Sequence, residues 1–262
     1  MKKAIKCRNP RALVTGKSKD AAVIFKTKRN TLSSKYRLVG IFLCAWGFLY
    51  GSTSTASAQN TAPTVVEIFT SRGCPACPPA DRNLKALANK NPNMIALSCH
   101  VTYFNRARTT DIFGAPFCDA RQNVYKLALK TQKIYTPMVI TNGRSVTTGT
   151  TRGKLLKGLH SGGNIKYPPV KVALNSQYLD IKLPHIGLSQ SADVWLFEYL
   201  QSPNERGYTQ YQNAVSKITK LMRWDGKPMN MAFPVNPGFD KGFAIIVQDY
   251  KSGVITAGKV EN

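Results

Sequence analysis

Two cysteines stand two residues apart in Gly73-Cys74-Pro75-Ala76-Cys77-Pro78-Pro79, the stretch of the chain with the clearest capacity for chemistry. A pair at this spacing across the start of a helix closes a small disulfide with little backbone movement. The N–H groups and positive end of the helix dipole favour a thiolate at the first sulfur, lowering its pKa from the free value of about 8.5. Cys74 is then the expected attacking sulfur, and Cys77 the one that resolves a mixed disulfide. A structural disulfide and a metal site are the competing uses. Zinc would want a second closely spaced ligand pair, and Cys99 and Cys118 are not one. Those two are expected to form a second disulfide or to stay buried thiols, with a relay to the first pair as the functional alternative. His100 follows Cys99 and points to the opposite face if both lie in a strand. It is expected to be a satisfied strand-end histidine, with a base or a copper ligand as the alternative. Asp81 and Glu67 lie close to the motif and are expected at the surface or at a helix start, with a proton acceptor for the resolving cysteine as the alternative. His160 and His185 receive no role. No cofactor and no resident metal are expected.

The elements that must position these residues follow from periodicity. Val65 to Thr70 is an apolar, β-branched run that reads as a buried strand ending at Gly73. A helix follows, starting at Cys74 with prolines only in its first turns and with Leu84, Leu87 and Ala88 at helical spacing. Met94 to Val101 is a second buried strand, and the irregular segment 105–116 is long enough to be a lid or binding loop. A helix over Asp119 to Thr131 is expected to bury Val124, Leu127 and Ala128. Thr136-Pro137 precede a short run whose Asn142-Gly143, between β-branched residues, predicts a hairpin. Arg152 to His160 closes the region as a helix. The order predicts an α/β layer with a mixed sheet over 59–163. Beyond Gly163, short alternating runs divided by Pro, Gly and Asn predict a β-rich antiparallel part over 164–262. Residues 215–222 suit helix and strand equally, since Val215, Ile218 and Met222 fit one and the β context fits the other.

The formal charge is +24, but residues 1–58 hold 12 of the 37 Lys and Arg and one of the 13 acids. The remainder, 25 cations against 12 acids, carries +13, dispersed along the chain and without a nucleic-acid motif. Residues 1–58 read as a signal peptide: a basic leader, the apolar stretch Leu38 to Tyr50, then Ala56-Ser57-Ala58 as a cleavage pattern ending after Ala58. The apolar stretch falls short of the roughly 20 residues a spanning helix needs, so no stable membrane span is expected after cleavage. The four remaining cysteines would reach a periplasmic or secreted, disulfide-permissive setting.

With Val65 to Asp81, His100 to Phe104, Arg121-Gln122, Tyr135-Thr136-Pro137, Asn142-Gly143 and Arg223-Trp224-Asp225-Gly226, the chain resembles the secreted thioredoxin-like proteins grouped as domain-of-unknown-function family 1223. The resemblance runs over nearly the whole mature chain. It implies a thioredoxin-like domain with a mixed sheet and a β-rich C-terminal part. Cys74, Cys77 and Pro137 match the active-site positions of thioredoxins and glutaredoxins one by one. In that fold a cis-proline loop lies against the C-x-x-C and offers backbone groups to a peptide, which casts Thr136 and Pro137 in that part. The function expected is an exported thiol–disulfide oxidoreductase acting on protein thiols and disulfides, with a membrane partner that recycles its cysteines if it works as a reductant. The alternatives are a copper-binding or copper-delivery protein using the C-x-x-C, and a binding module that has kept the fold without its catalysis.

Overall fold

The computed structural model of the chain describes residues 61–262 apart from 107–109, 202, 204–210, 250, 252 and 262. The expected signal peptide and its cleavage point lie outside the described residues. β1 (Thr64–Thr70) is buried along six of its seven positions and carries the apolar run that predicted it. It pairs in parallel with β2 (Met94–His100), from Thr64 opposite Met94 to Thr70 opposite His100. On its other side β3 (Met138–Thr141) runs antiparallel, with Phe69 opposite Met138. A strand with ladders on both sides and cover on both faces has no polar side to show, which is why its sequence does not alternate.

Between β1 and β2 lies α1 (Cys77–Ala88), which buries Cys77, Ala80, Asp81 and Leu84. The helix starts at Cys77 rather than at Cys74, and Pro78 and Pro79 fill its first turn, where a missing N–H breaks no helical hydrogen bond. The same prolines remove two of the first-turn donors on which thiolate stabilisation would draw. α2 (Pro116–Ala128) corrects the sequence reading more sharply. Its buried stripe is Cys118, Arg121, Gln122 and Tyr125, while Val124 is 37% and Leu127 76% exposed. The spacing is that of one helix face, but polar side chains occupy it because each has a partner inside.

β3 turns into β4 (Ser145–Thr147) through Asn142 at φ 49° and Gly143 at φ 65°, the paired left-handed conformation that Asn-Gly supplies at low cost. Asn142 also caps β1, accepting from the Val65 N–H at 2.8 Å. α3 (Arg152–Gly162) follows, with the Thr151 side chain accepting from the Lys154 N–H.

The later strands are antiparallel as expected. β5 (Lys171–Asn175), β6 (Tyr178–Leu183) and β9 (Met229–Pro234) form a small sheet in the order β5-β6-β9. β7 (Ala192–Leu200), β8 (Ala214–Trp224), β10 (Lys241–Asp249) and β11 (Gly253–Glu261) extend the first sheet to eight strands, β11-β10-β7-β8-β2-β1-β3-β4. Residues 215–222 are therefore strand. The two sheets close on one another over Leu179, Ile181 and Leu183 from one side and Val194, Leu196, Phe243, Ile245 and Val247 from the other. The join inside the large sheet is narrow. A single parallel bridge pairs Ser98 with Ala214, supported by Ser98 Oγ donating to the Gln212 carbonyl at 2.8 Å and Asn213 Nδ2 donating to the Ala96 carbonyl at 2.9 Å. Among the described residues no helix is long and apolar enough to cross a membrane.

Candidate active site

Cys74 and Cys77 form a disulfide with their Cα atoms 5.5 Å apart, at the turn from β1 into α1. The turn is fixed by the Cys74 N–H donating to the Ser71 carbonyl and the Cys77 N–H donating to the Cys74 carbonyl, at 3.1 and 3.2 Å. Pro75 and Ala76 between them are exposed. Cys74 keeps 2% of its surface and Cys77 none, so an incoming sulfur meets Cys74 first. Gly73 has no room for a side chain: a Cβ there would lie 2.9 Å from the Phe104 carbonyl oxygen.

The Thr136–Pro137 peptide bond is cis. Because β3 runs antiparallel to β1, with Met138 opposite Phe69, the cis bond sits at the end of the sheet where β1 hands the chain to the disulfide. The four residues singled out from the sequence, Cys74, Cys77, Thr136 and Pro137, are thus brought to one end of adjacent strands. Gln122, fully buried, holds this region from α2. Its Nε2 donates to the Tyr135 carbonyl at 2.8 Å and approaches Met138 Sδ at 3.7 Å, so one amide brackets both sides of the cis bond. Its Oε1 accepts from the Tyr103 hydroxyl at 3.1 Å. Burial, opposed by the hydrogen bond to Gln122, raises the Tyr103 pKa and keeps the phenol a donor.

Asp81 is not at the surface. It is 2% exposed and shares the buried face of α1 with Cys77, one turn on. Burial raises its pKa to about 7, against the lowering effect of Thr70, whose hydroxyl donates to Oδ2 at 3.0 Å. Its Oδ1 has no hydrogen-bond partner among the described residues. The spacing Cys77, Ala80, Asp81, Leu84 was a signal that could have found it, since an acid on an apolar helix stripe is buried with that stripe.

Glu67 is also buried, and its charge is met. Arg121 binds it through Nε at Oε2 and through Nη2 at Oε1, the latter at 2.8 Å, and the Tyr125 hydroxyl donates to Oε1. Gln248 of β10 joins them, its Oε1 accepting from Arg121 Nη2 at 3.0 Å and its Nε2 donating to the Tyr125 hydroxyl at 3.1 Å. The guanidinium lies over Phe197 at 4.7 Å from the ring centroid and over Tyr125 at 5.1 Å. Burial holds the Tyr125 pKa well above the usual phenol value.

His100 at the end of β2 is fully buried, its ring edge-on to Tyr211 at 4.4 Å and to Phe113 at 5.3 Å. Its Nδ1 lies 2.8 Å from Asp111 Oδ2. Burial works against the charge on Asp111, but the hydrogen bond and charge of His100 and the N–H groups of Arg72 and Phe113 outweigh it and hold the carboxyl below its usual range. An ionised carboxylate only accepts, so Nδ1 carries the proton. Asp111 therefore ties His100 to the disulfide turn, since its Oδ2 also accepts the Arg72 N–H at 2.7 Å. Nothing in the sequence marked Asp111, which reaches this position through loop geometry. Among the described residues no group of three or more His, Cys, Asp or Glu is arranged to hold a metal ion.

Cys99 and Cys118 form the second disulfide, Cα atoms 5.4 Å apart, joining β2 to the first turn of α2. Closing a loop with a separation of 19 residues removes about 3 kcal/mol of freedom from the unfolded chain. Replacing both residues with Ala is expected to lower unfolding stability by that amount in a urea titration and to leave thiol exchange at Cys74 in place. Loss of exchange in a variant that remains folded would instead mark a relay between the two pairs. A cleft of about 430 Å³ lined by Arg144, Lys166, Tyr167 and Leu188 shares no lining residue with the disulfide.

These features define a class: a mixed α/β protein with a disulfide at a strand-to-helix turn, a cis-proline on the neighbouring strand and a buried acid one helical turn behind the second cysteine. The chain belongs to the DUF1223 family, described as a protein of unknown function, whose model matches residues 65–248. It is similar to a crystal structure of an Agrobacterium tumefaciens protein, with 27% identity and a TM-score of 0.68 over 78% of this chain and 96% of that one. It also resembles HBP35 of Porphyromonas gingivalis in fold, with 14% identity and a TM-score of 0.50 over 76% of this chain and 75% of that one. No protein of the curated set matches the chain.

Proposed function

We propose that the chain is an exported thiol–disulfide oxidoreductase that acts on protein cysteines through Cys74 and Cys77, with residues 59–163 as a thioredoxin-like unit. The observation that carries the reading is the disulfide at the β1–α1 turn, beside the cis Thr136–Pro137 bond and backed by Asp81 on the same helix face. The strand order β2-β1-β3-β4, with β1 and β2 parallel and β3 antiparallel, supports the thioredoxin-like assignment. Export is supported by the leader and A-x-A pattern of residues 1–58 and by two disulfides, which persist in oxidising compartments.

In the oxidising direction a substrate thiolate attacks Cys74 Sγ. The Cys74–Cys77 bond breaks, its electron pair passes to Cys77 Sγ, and neutral Asp81 supplies the proton that makes Cys77 a thiol. A second substrate thiolate then attacks the substrate sulfur of the mixed disulfide and releases Cys74 as a thiolate. Two substrate thiols have become one disulfide, and the protein has gained two electrons. Run backwards, the Cys74 thiolate attacks a substrate disulfide, ionised Asp81 takes the Cys77 proton, and Cys77 displaces the reduced substrate. A carboxyl with a pKa of about 7 serves both directions because each protonation state is populated near neutral pH. A membrane partner would recycle the cysteines where the protein works as a reductant.

The test is a Cys77→Ala variant expressed in its own compartment and analysed on non-reducing gels. Partner proteins are expected to be held at Cys74, released by dithiothreitol and identified by mass spectrometry, while Cys74→Ser/Cys77→Ala holds none. An empty trap would overturn the reading.

A further inference from the structure

We propose that the open edge of β4 is a docking site for an extended polypeptide segment in which acidic and apolar side chains alternate. The site is separate from the disulfide chemistry proposed above, and its test does not depend on that chemistry. β4 is the last strand of the large sheet and, among the described residues, pairs with β3 alone. Its register decides what it shows to solvent. The Asn142 N–H donates to the Val65 carbonyl, so by the alternation of an antiparallel ladder the N–H and C=O of Ile140 turn to β1, and those of Val139 and Thr141 turn to β4. Val139 and Thr141 stand opposite Thr147 and Ser145. This leaves Val146, opposite Ile140, with its N–H and C=O directed away from β3. A strand that joins this edge meets one free donor and one free acceptor.

The two faces of the edge differ. Val146 packs with Tyr135 on the core cluster to which Ile140 and the α2 residue Tyr125 belong. The Ser145 and Thr147 side chains turn instead to α3, donating to the Gly158 and Lys154 carbonyls. A cleft of about 400 Å³ straddles the edge, and Tyr135 and Val146 line it together with Lys154, Lys157 and Ser161 of α3. Both lysines are exposed, neither forms an ion pair, and none of the described residues that line the cleft is acidic. The sequence around it has the same sign, since residues 120–179 hold ten Lys and Arg and no Asp or Glu. Side chains of an added strand alternate between the two faces. The one opposite Val146 lies against Val146 and Tyr135, which suits an apolar group, while those before and after it turn towards Lys154 and Lys157, which suits carboxylates. A second copy of the chain is a poorer fit, because the strand it would bring, 144–148, carries Arg144 and no acid. A nucleic acid would meet the lysines but leave the Val146 amide groups and the apolar side unused.

The experiment uses the full mature chain and short fluorescent peptides without cysteine: Glu and Val alternating, the same residues with all Glu grouped and all Val grouped, and Lys and Val alternating. In anisotropy titrations the alternating Glu peptide is expected to bind about tenfold more tightly than either of the others, its advantage over the Lys peptide shrinking at high salt. Its binding is expected to protect the Val146 N–H from hydrogen exchange. Lys154→Glu/Lys157→Glu is expected to reverse the preference between the Glu and Lys peptides. Val146→Pro removes the outward N–H at an edge position, where proline is tolerated, and is expected to weaken the Glu peptide about fivefold. Both lysines are exposed, so their variant keeps the test open if the proline variant does not fold. Equal binding of the alternating and grouped peptides would overturn the proposal, because charge alone would then account for it. So would an oligothymidylate of equal charge that binds more tightly and weakens in the same lysine variant, or a dimer of the chain that Val146→Pro dissociates. An edge that binds none of these would also overturn it, leaving the lysines as guards against strand pairing.

Discussion

Asp81→Asn is expected to stabilise the oxidised protein by about 4 kcal/mol at pH 8 and to leave its stability unchanged at pH 3. A carboxyl whose pKa rises from 3.8 to about 7 on folding holds its proton more tightly in the folded chain. Its contribution is fully present below pH 3.8 and is lost as pH rises through 7, because the unfolded chain then ionises freely while the folded one must bury a charge. Roughly three pKa units at 1.36 kcal/mol each give the stated magnitude. Asn keeps an acceptor for the Thr70 hydroxyl and has nothing to ionise. Urea titrations at several pH values read the effect directly. A wild-type stability that does not fall between pH 4 and 8 relative to the variant would rule out a buried, strained carboxyl. The same substitution is expected to slow peptide-disulfide reduction at pH 7 by about 10²-fold, since Asn cannot take the Cys77 proton. A protein that gains stability and loses rate at one position separates the acid's chemical part from a structural one.

The second large effect is expected at the pair Glu67 and Arg121. Arg121→Met alone should cost about 3–5 kcal/mol, because it leaves the Glu67 carboxylate buried without its counter-charge. Glu67→Leu with Arg121→Met should recover most of that loss, since both charges leave together and the Tyr125 hydroxyl keeps its hydrogen bond from Gln248 Nε2. The comparison is a double-mutant cycle in denaturant. A double variant that loses the sum of the losses of Glu67→Leu and Arg121→Met would show that the pair is not coupled, contrary to its geometry.

The same pair explains where the sequence could be read and where it could not. β1, α1 and the β3–β4 hairpin were legible because their signals are local: an apolar run, a leucine at helical spacing, an Asn-Gly between β-branched residues. Cys74 and Cys77 stand out by their spacing between a strand and a helix, whereas Thr136 and Pro137 are singled out through the thioredoxin resemblance, and a cis bond lies between them at the start of β3. The inward face of α2 escapes periodicity because it carries Cys118, Arg121, Gln122 and Tyr125, whose burial depends on partners in β1, β2, β3 and β10 that no helical window contains. β8 was ambiguous for a related reason. Val215, Ile218 and Met222 fit two periods, and what makes them strand is β7, along which β8 is laddered from Ala192 to Leu200. Glu67 and Asp81 are expected at the surface or at a helix start, and both are buried: Glu67 by its arginine, which is distant in sequence, and Asp81 with the apolar stripe of α1, a spacing that does reveal its burial but not its raised pKa.

Gln248 closes the Glu67–Arg121–Tyr125 cluster from a position 127 residues beyond Arg121. A chain cut before β10 would lack that amide, and water would have to take its place at the guanidinium and the phenol, so the dryness of the interior beside α2 depends on the last strands of the sequence.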